Sequence, residues 1–273
     1  MPTVRTPGPW WVVPRPNSDA KIRLFCFPYA GGHASLFRSW AQAMPEFVEV
    51  CALQPPGRAN RIAQPPISSV PEFMSRLGPA LAPLTETPFV FFGHSMGAIL
   101  SFETCGWLRR NGLKLPQHLF VSGRRAPHIL DPQDLHGMPD EEFIAAIAKL
   151  DGTPPSVLQD PGLLRLLLPS LRADFTLCET YRHIKEDPLP VPITVFAGNE
   201  DHETQEGRLE AWQEYTSERF SKHELPGGHF FIHSQEKPLL SLMRQYLAGM
   251  ALTKHSVATI AYSSGSAGLE VSR

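Results

Sequence analysis

Residues 89–98 read Phe-Val-Phe-Phe-Gly-His-Ser-Met-Gly-Ala, a run of apolar β-formers that breaks at a glycine-flanked serine and continues as a helix-compatible stretch. This is the form of a nucleophile elbow, in which the serine sits at a sharp strand-to-helix reversal and needs small neighbours so that the two elements can pass closely. Gly93 and Gly97 supply them. A serine hydroxyl is a weak nucleophile at neutral pH, so a base must take its proton before Ser95 can attack a carbonyl carbon. The helix expected over 98–110 would add the positive end of its dipole where charge develops on the substrate oxygen.

The base and its orienting acid have candidates late in the chain. Of eleven histidines, only His229 follows a late strand on a glycine loop, in Pro226-Gly227-Gly228-His229-Phe230. An acid just past the carboxyl end of a late strand is where such a histidine finds the partner that holds its tautomer. Asp201 stands there after the strand expected over 192–197, with Glu200 as the alternative one position away. The order serine, acid, histidine is that of α/β-hydrolases and of neither serine-protease fold. In that arrangement a loop after an early strand donates one N–H to the oxyanion and the residue after the serine donates the other. Ala30, in Pro28-Tyr29-Ala30-Gly31-Gly32, and Met96 are the candidates.

These residues need a sheet to hold them. Residues 21–27 and 48–53 read as buried strands, 33–44 and 71–84 as helices, and 118–122 as a further strand, an alternation that predicts a mostly parallel sheet flanked by helices. Phe73, Leu77 and Leu81 form the core stripe of the second helix. Between Ser122 and Ile193 the alternation stops for far longer than a simple crossover requires, which marks an insertion. Within it 139–150 reads as a helix with acids at its start. Asp160 caps a second helix rich in leucine, which Pro169 is expected to kink or break. A helix so apolar is expected to cover an acyl-binding cavity as a lid. Residues 218–225 complete the sheet and 238–247 form the closing helix.

With 273 residues the chain is long enough for a sizeable core, and 25 Lys and Arg against 27 Asp and Glu give no basic field to attract nucleic acid or an anionic membrane. Cys26, Cys51, Cys105 and Cys178 lack metal-ligand spacing, so no metal or cofactor is expected. Their placement, mostly in apolar segments, fits reduced thiols in a cytoplasmic protein, and residues 1–9 lack the apolar core of a signal peptide.

The chain from about Leu24 to Leu247 resembles type II thioesterases, the stand-alone hydrolases that accompany polyketide synthases and non-ribosomal peptide synthetases. The resemblance rests on Phe27-Pro28-Tyr29-Ala30-Gly31-Gly32, Pro56-Gly57-Arg58, the elbow, Leu171-Arg172-Ala173-Asp174 and Pro226-Gly227-Gly228-His229-Phe230. It implies an α/β-hydrolase fold and an enzyme that clears acyl groups from the phosphopantetheine thiol of acyl or peptidyl carrier proteins. Medium-chain fatty acyl synthase thioesterases are similar too; a small-molecule carboxylesterase would use the same triad, and a non-catalytic binding protein of this fold would usually lack one of its members. The expected organisation is an N-terminal extension over 1–20, a monomeric hydrolase domain over 21–252 with a lid at about 127–188, and a flexible tail over 253–273. Carriers of this kind are acidic, as the resemblance implies. Arg124 and Arg125, at the carboxyl end of a predicted strand, are candidates to meet the carrier or its phosphate, or else to pair with an acid such as Asp174 and anchor the lid.

Overall fold

The apolar run of the elbow lies at the heart of the sheet because every residue of it is buried on both faces. The computed structural model describes residues 8–130, 133–150, 152, 155–205 and 207–263. Its strands are β1 (Trp11–Val12), β2 (Ile22–Phe27), β3 (Val48–Leu53), β4 (Phe89–His94), β5 (Leu119–Ser122), β6 (Ile193–Gly198) and β7 (Phe220–Leu225). They form a seven-stranded sheet in the order β1-β3-β2-β4-β5-β6-β7. All neighbours run parallel except β1, which pairs antiparallel with β3 through Trp11 opposite Leu53. The fold is thus the α/β-hydrolase arrangement expected from the sequence.

The helices are α1 (Arg38–Ala43), α2 (Val70–Leu81), α3 (Met96–Arg110), α4 (Asp140–Ala148), α5 (Pro155–Leu158), α6 (Pro161–Thr180), α7 (Phe231–Ser234) and α8 (Glu236–Ser263). Because strand side chains alternate, the sheet has two cores. Phe25, Phe27 and Phe91 pack with Phe73 and Leu77 of α2 and Leu100 of α3 on one face. Leu24, Val90 and Phe92 pack with Trp40 of α1 and Leu240 and Met243 of α8 on the other.

Four elements depart from the sequence reading. The stretch assigned to an N-terminal extension contains β1, whose Trp11 lies edge-on to Phe25 at 4.7 Å; residues 1–7 are outside the described residues. The helix expected over 33–44 begins as a tight 3₁₀ turn, Ala34–Phe37, before α1. α6 continues through Pro169 to Thr180, since tertiary contacts of Leu164 on one side and Leu171 and Leu177 on the other hold both halves despite the missing N–H. The closing helix is longer than 238–247 and reaches Ser263, so part of the expected tail is helical; 264–273 lie outside the described residues.

The segment joining β5 to β6 holds α4, α5 and α6 and has a small core of its own in Phe143, Ile147 and Leu171. Charged side chains tie it together. Arg172 donates to the carbonyls of His136 at 2.6 Å and Met138 at 2.8 Å and to Asp140 at 2.6 Å, with its guanidinium 4.4 Å above the Phe143 ring.

Candidate active site

β4 delivers Ser95 in a conformation that side chains rarely adopt, φ 54° and ψ −114°, between His94 and the first turn of α3. Its N–H donates to the Ser122 carbonyl at 2.8 Å, which anchors the turn to β5. A Cβ on Gly93 would lie 2.1 Å from the Gly97 carbonyl oxygen, and a Cβ on Gly97 would lie 2.1 Å from that of Phe27. Both positions therefore require glycine, because the atoms in the way are main chain and cannot swing aside.

β6 and β7 deliver the other two residues. Asp201 is 2% exposed; its Oδ2 lies 2.9 Å from His229 Nδ1 and its Oδ1 accepts the Glu203 N–H at 3.0 Å. A carboxylate only accepts, so His229 donates from Nδ1 and its Nε2 is left as the basic nitrogen. Glu200 is exposed and makes no such contact: its N–H joins the two loops by donating to the Gly227 carbonyl at 2.9 Å. Ser95, Asp201, His229 and Ala30 line one cavity of about 590 Å³, whose wall also includes the apolar Ile147, Leu150, Leu171 and Phe175 of the insertion, Phe230, and charged residues such as Arg124, Lys149 and Glu200. Met96 is the first residue of α3, where a helix N–H has no intrahelical acceptor. A second cavity of about 580 Å³, between α2, α3 and the end of α6, contains none of these residues.

Behind His229 lies a group of rings. His94 is fully buried, with its centroid 5.2 Å from that of His229 and its Nδ1 2.9 Å from the Ser122 hydroxyl. Burial first, then repulsion from His229 and His233, holds the His94 imidazole well below the ordinary histidine range, so it is neutral. The Tyr29 hydroxyl lies 2.9 Å from His233 Nε2, and the Tyr29 ring packs edge-on to Phe230 at 5.1 Å, which couples the loop carrying Ala30 to the loop carrying His229.

Arg124 and Arg125 are not on an outer rim. They are 6% and 2% exposed; Arg125 is ion-paired with Glu203 and donates to the Leu130 carbonyl at 3.0 Å, while Arg124 has Nη1 4.0 Å from Glu203 and lines the cavity wall. Burying a guanidinium requires a partner, and here Glu203 serves both. Asp174, weighed as a partner for either, is taken instead by Arg58. Sequence reasoning marked Arg58 only as part of a signature, with no role, and missed Glu203 and Glu179. Within 4.8 Å of one another lie ligand-type atoms of Asp134, His136 and Glu179. Glu179 already accepts the N–H groups of Leu135 at 3.0 Å and His136 at 2.9 Å and the His136 side chain at 2.6 Å, which accounts for the cluster as a tie between a loop and α6.

The Thioesterase domain family matches residues 22–247. Gramicidin S biosynthesis protein GrsT of Aneurinibacillus migulanus is 44% identical over 239 residues, covering 87% of this chain and 93% of that protein. Thioesterase PikA5 of Streptomyces venezuelae is 40% identical, covering 81% of this chain and 79% of its own length. Among solved structures, the type II thioesterase BorB from the borrelidin biosynthetic cluster superposes with a TM-score of 0.80 at 34% identity, over 87% of this chain and 97% of that one.

Proposed function

The chain belongs to the Thioesterase domain family, as a type II thioesterase, and we propose that it removes acyl groups from the phosphopantetheine thiol of carrier proteins through Ser95, His229 and Asp201. One observation carries the assignment of residues: a serine at φ 54° and a histidine bonded through Nδ1 to a buried carboxylate at 2.9 Å line the same cavity. Ser95 Oγ attacks the thioester carbonyl while His229 Nε2 takes its proton, and the oxyanion is met by the N–H groups of Ala30 and Met96. Collapse expels the carrier's thiol, which receives that proton, and leaves an acyl-serine. Water, deprotonated by His229, then hydrolyses the ester and restores Ser95. Asp201 keeps Nε2 basic and stabilises the imidazolium.

The apolar part of the wall from Ile147, Leu150, Leu171 and Phe175 suits an acyl chain, and we assign the segment at about 127–188 as the lid within a catalytic unit that reaches from β1 to α8. Among the described residues no helix is long and apolar enough to cross a membrane, and the four cysteines are buried free thiols, which supports action in the reducing cytoplasm beside a synthase. The test is intact-mass detection of deacylation on a panel of acyl and peptidyl carrier proteins, run beside small acyl-N-acetylcysteamine thioesters and matching oxyesters. Faster turnover of carrier-bound thioesters is expected; a preference for oxyesters would overturn the carrier assignment and leave a general esterase.

A further inference from the structure

Two sequence signatures that the reaction leaves unused, Pro56-Gly57-Arg58 and Leu171-Arg172-Ala173-Asp174, meet in space. Arg58 and Asp174 form a bidentate pair, Nη1 to Oδ2 at 2.5 Å and Nη2 to Oδ1 at 2.7 Å, with side chains 3% and 2% exposed. A buried pair of this kind is often no more stabilising than apolar residues of the same volume, so its presence calls for a second reason. The contacts supply one. Asp174 Oδ2 also accepts the Gly31 N–H at 2.7 Å, and Arg58 Nη1 donates to the Gly32 carbonyl at 3.2 Å. The tight turn between them is closed by the Gly32 N–H donating to the Tyr29 carbonyl at 2.9 Å. Leu171, one turn before Asp174 on the same face of α6, lies against this loop: its Cδ2 stands 2.7 Å from where a Cβ on Gly31 would be, and Gly31 has φ 78°.

We propose that Asp174, held by Arg58, is a positioning residue for the oxyanion site: by fixing the Ala30–Gly31 peptide from the lid helix, beside the Tyr29–Ala30 peptide that the Gly32 N–H holds through the Tyr29 carbonyl, it aims the Ala30 N–H at the developing oxyanion. The inference rests on the reading of Ala30 as an oxyanion donor. It follows that α6 does more than cover the acyl chain, because catalytic alignment of the 28–32 loop depends on α6 being seated. A donor displaced by about 1 Å can cost on the order of 10²-fold in rate, which sets the size of the effect to seek.

The experiment compares two double variants that both remove the ion pair, Arg58→Met with Asp174→Asn and Arg58→Met with Asp174→Leu. Only the first keeps an oxygen for the Gly31 N–H. Steady-state kinetics on an acyl-N-acetylcysteamine thioester should show kcat in the Asn pair within about 5-fold of the parent and kcat in the Leu pair about 30- to 100-fold lower, with KM within about 2-fold in both. A trifluoromethyl ketone analogue, whose carbonyl carbon accepts Ser95 Oγ to give a tetrahedral oxyanion, should lose affinity in the Leu pair by the same factor as kcat/KM. Equal activity in two folded double variants would overturn the inference, since a purely structural pair cannot distinguish them. Should the apolar pair melt too low, Asp174→Asn alone decides. The inference expects a lowered melting temperature from the unpaired Arg58 with kcat kept, and a loss of kcat about 30-fold or more would overturn it. Ser95→Ala run alongside separates the two readings, because surviving hydrolysis there refutes the triad and its oxyanion site together, whereas its loss leaves the clamp to be judged on its own variants.

Discussion

The sheet and the insertion hold their functional groups by different means. Ser95, Asp201 and His229 stand within four residues of the ends of β4, β6 and β7, so the parallel ladder places them, and the nearest anchors are main-chain bonds such as Ser95 N–H to Ser122. Among its described residues the insertion has a core of three buried side chains and is fastened by charge: Arg58 to Asp174, Arg172 to three oxygens, Glu179 to three donors. A backbone-placed group can lose its side chain without moving its neighbours. Substitution at the strand ends should therefore abolish chemistry while sparing stability, and substitution in the insertion should loosen structure locally.

The largest expected effect is Ser95→Ala, which should lower thioester hydrolysis on the order of a thousandfold or more with an unchanged thermal melt. Circular dichroism melting beside a thiol-release assay checks it. A variant keeping a tenth of the rate, or one that unfolds, would break the comparison at its strongest point. Next comes Asp201→Asn. An amide facing His229 can donate as well as accept, so it no longer enforces the Nδ1–H tautomer, and a loss of about 10²- to 10⁴-fold in kcat is expected. Glu200→Gln should stay within about 3-fold, because Glu200 reaches His229 through no hydrogen bond among the described residues. Equal losses would mean that the contact at 2.9 Å does not identify the working acid.

What could be read before the structure follows the same division. The elbow, the glycine loop of His229 and the acid after β6 were legible because each combines a run of β-formers with glycine or a polar stop at a strand end, a signal local in sequence. β1 was not, since two residues paired antiparallel to β3 offer no periodicity, and Trp10 and Trp11 show their role only when packed on Phe73 and Phe25. Asp174 and Arg58 are 116 positions apart, so resemblance could mark them without showing that they meet. Arg124 and Arg125 followed a strand as a surface pair would, and only their own burial and their pairing with half-buried Glu203 reveal that they turn inward.

The sheet's own weakness is acid. His118 is 4% exposed, stacked on Phe120 and hydrogen-bonded through Nε2 to Thr194 at 2.8 Å; burial, with a smaller contribution from Arg219, lowers its pKa to about 3. A histidine neutral in the folded chain and protonated when unfolded binds fewer protons in the native state between those values. Stability should thus fall as pH drops below about 6.5, by up to about 1.4 kcal/mol per pH unit for each such residue, down to the folded pKa. Urea unfolding at pH 7.5 and 5.0 checks the direction, and His118→Gln, whose amide can donate to or accept from the Thr194 hydroxyl, should flatten the slope. An unchanged slope would place the acid sensitivity elsewhere, with buried His94 as the next group to test.

The smallest effect should come from the insertion's most local fastening. Asp160 precedes α6 with extended backbone, φ −108° and ψ 102°, and its Oδ1 accepts the N–H groups of Gly162 at 2.9 Å and Leu163 at 3.0 Å, two donors that no turn of helix can satisfy. Asp160→Ala returns both to water and removes a negative charge from the positive end of the helix, at a cost of about 1 kcal/mol. If the insertion opens separately from the sheet, that cost should appear as amide exchange about 5-fold faster in the first turns of α6, while β4 and α3 exchange as before. The global melt should then hardly move. A fall in the melting temperature with uniformly faster exchange in β4 would show that α6 and the sheet unfold as one cooperative unit, and the division between a ladder-held site and a charge-fastened lid would have to be given up.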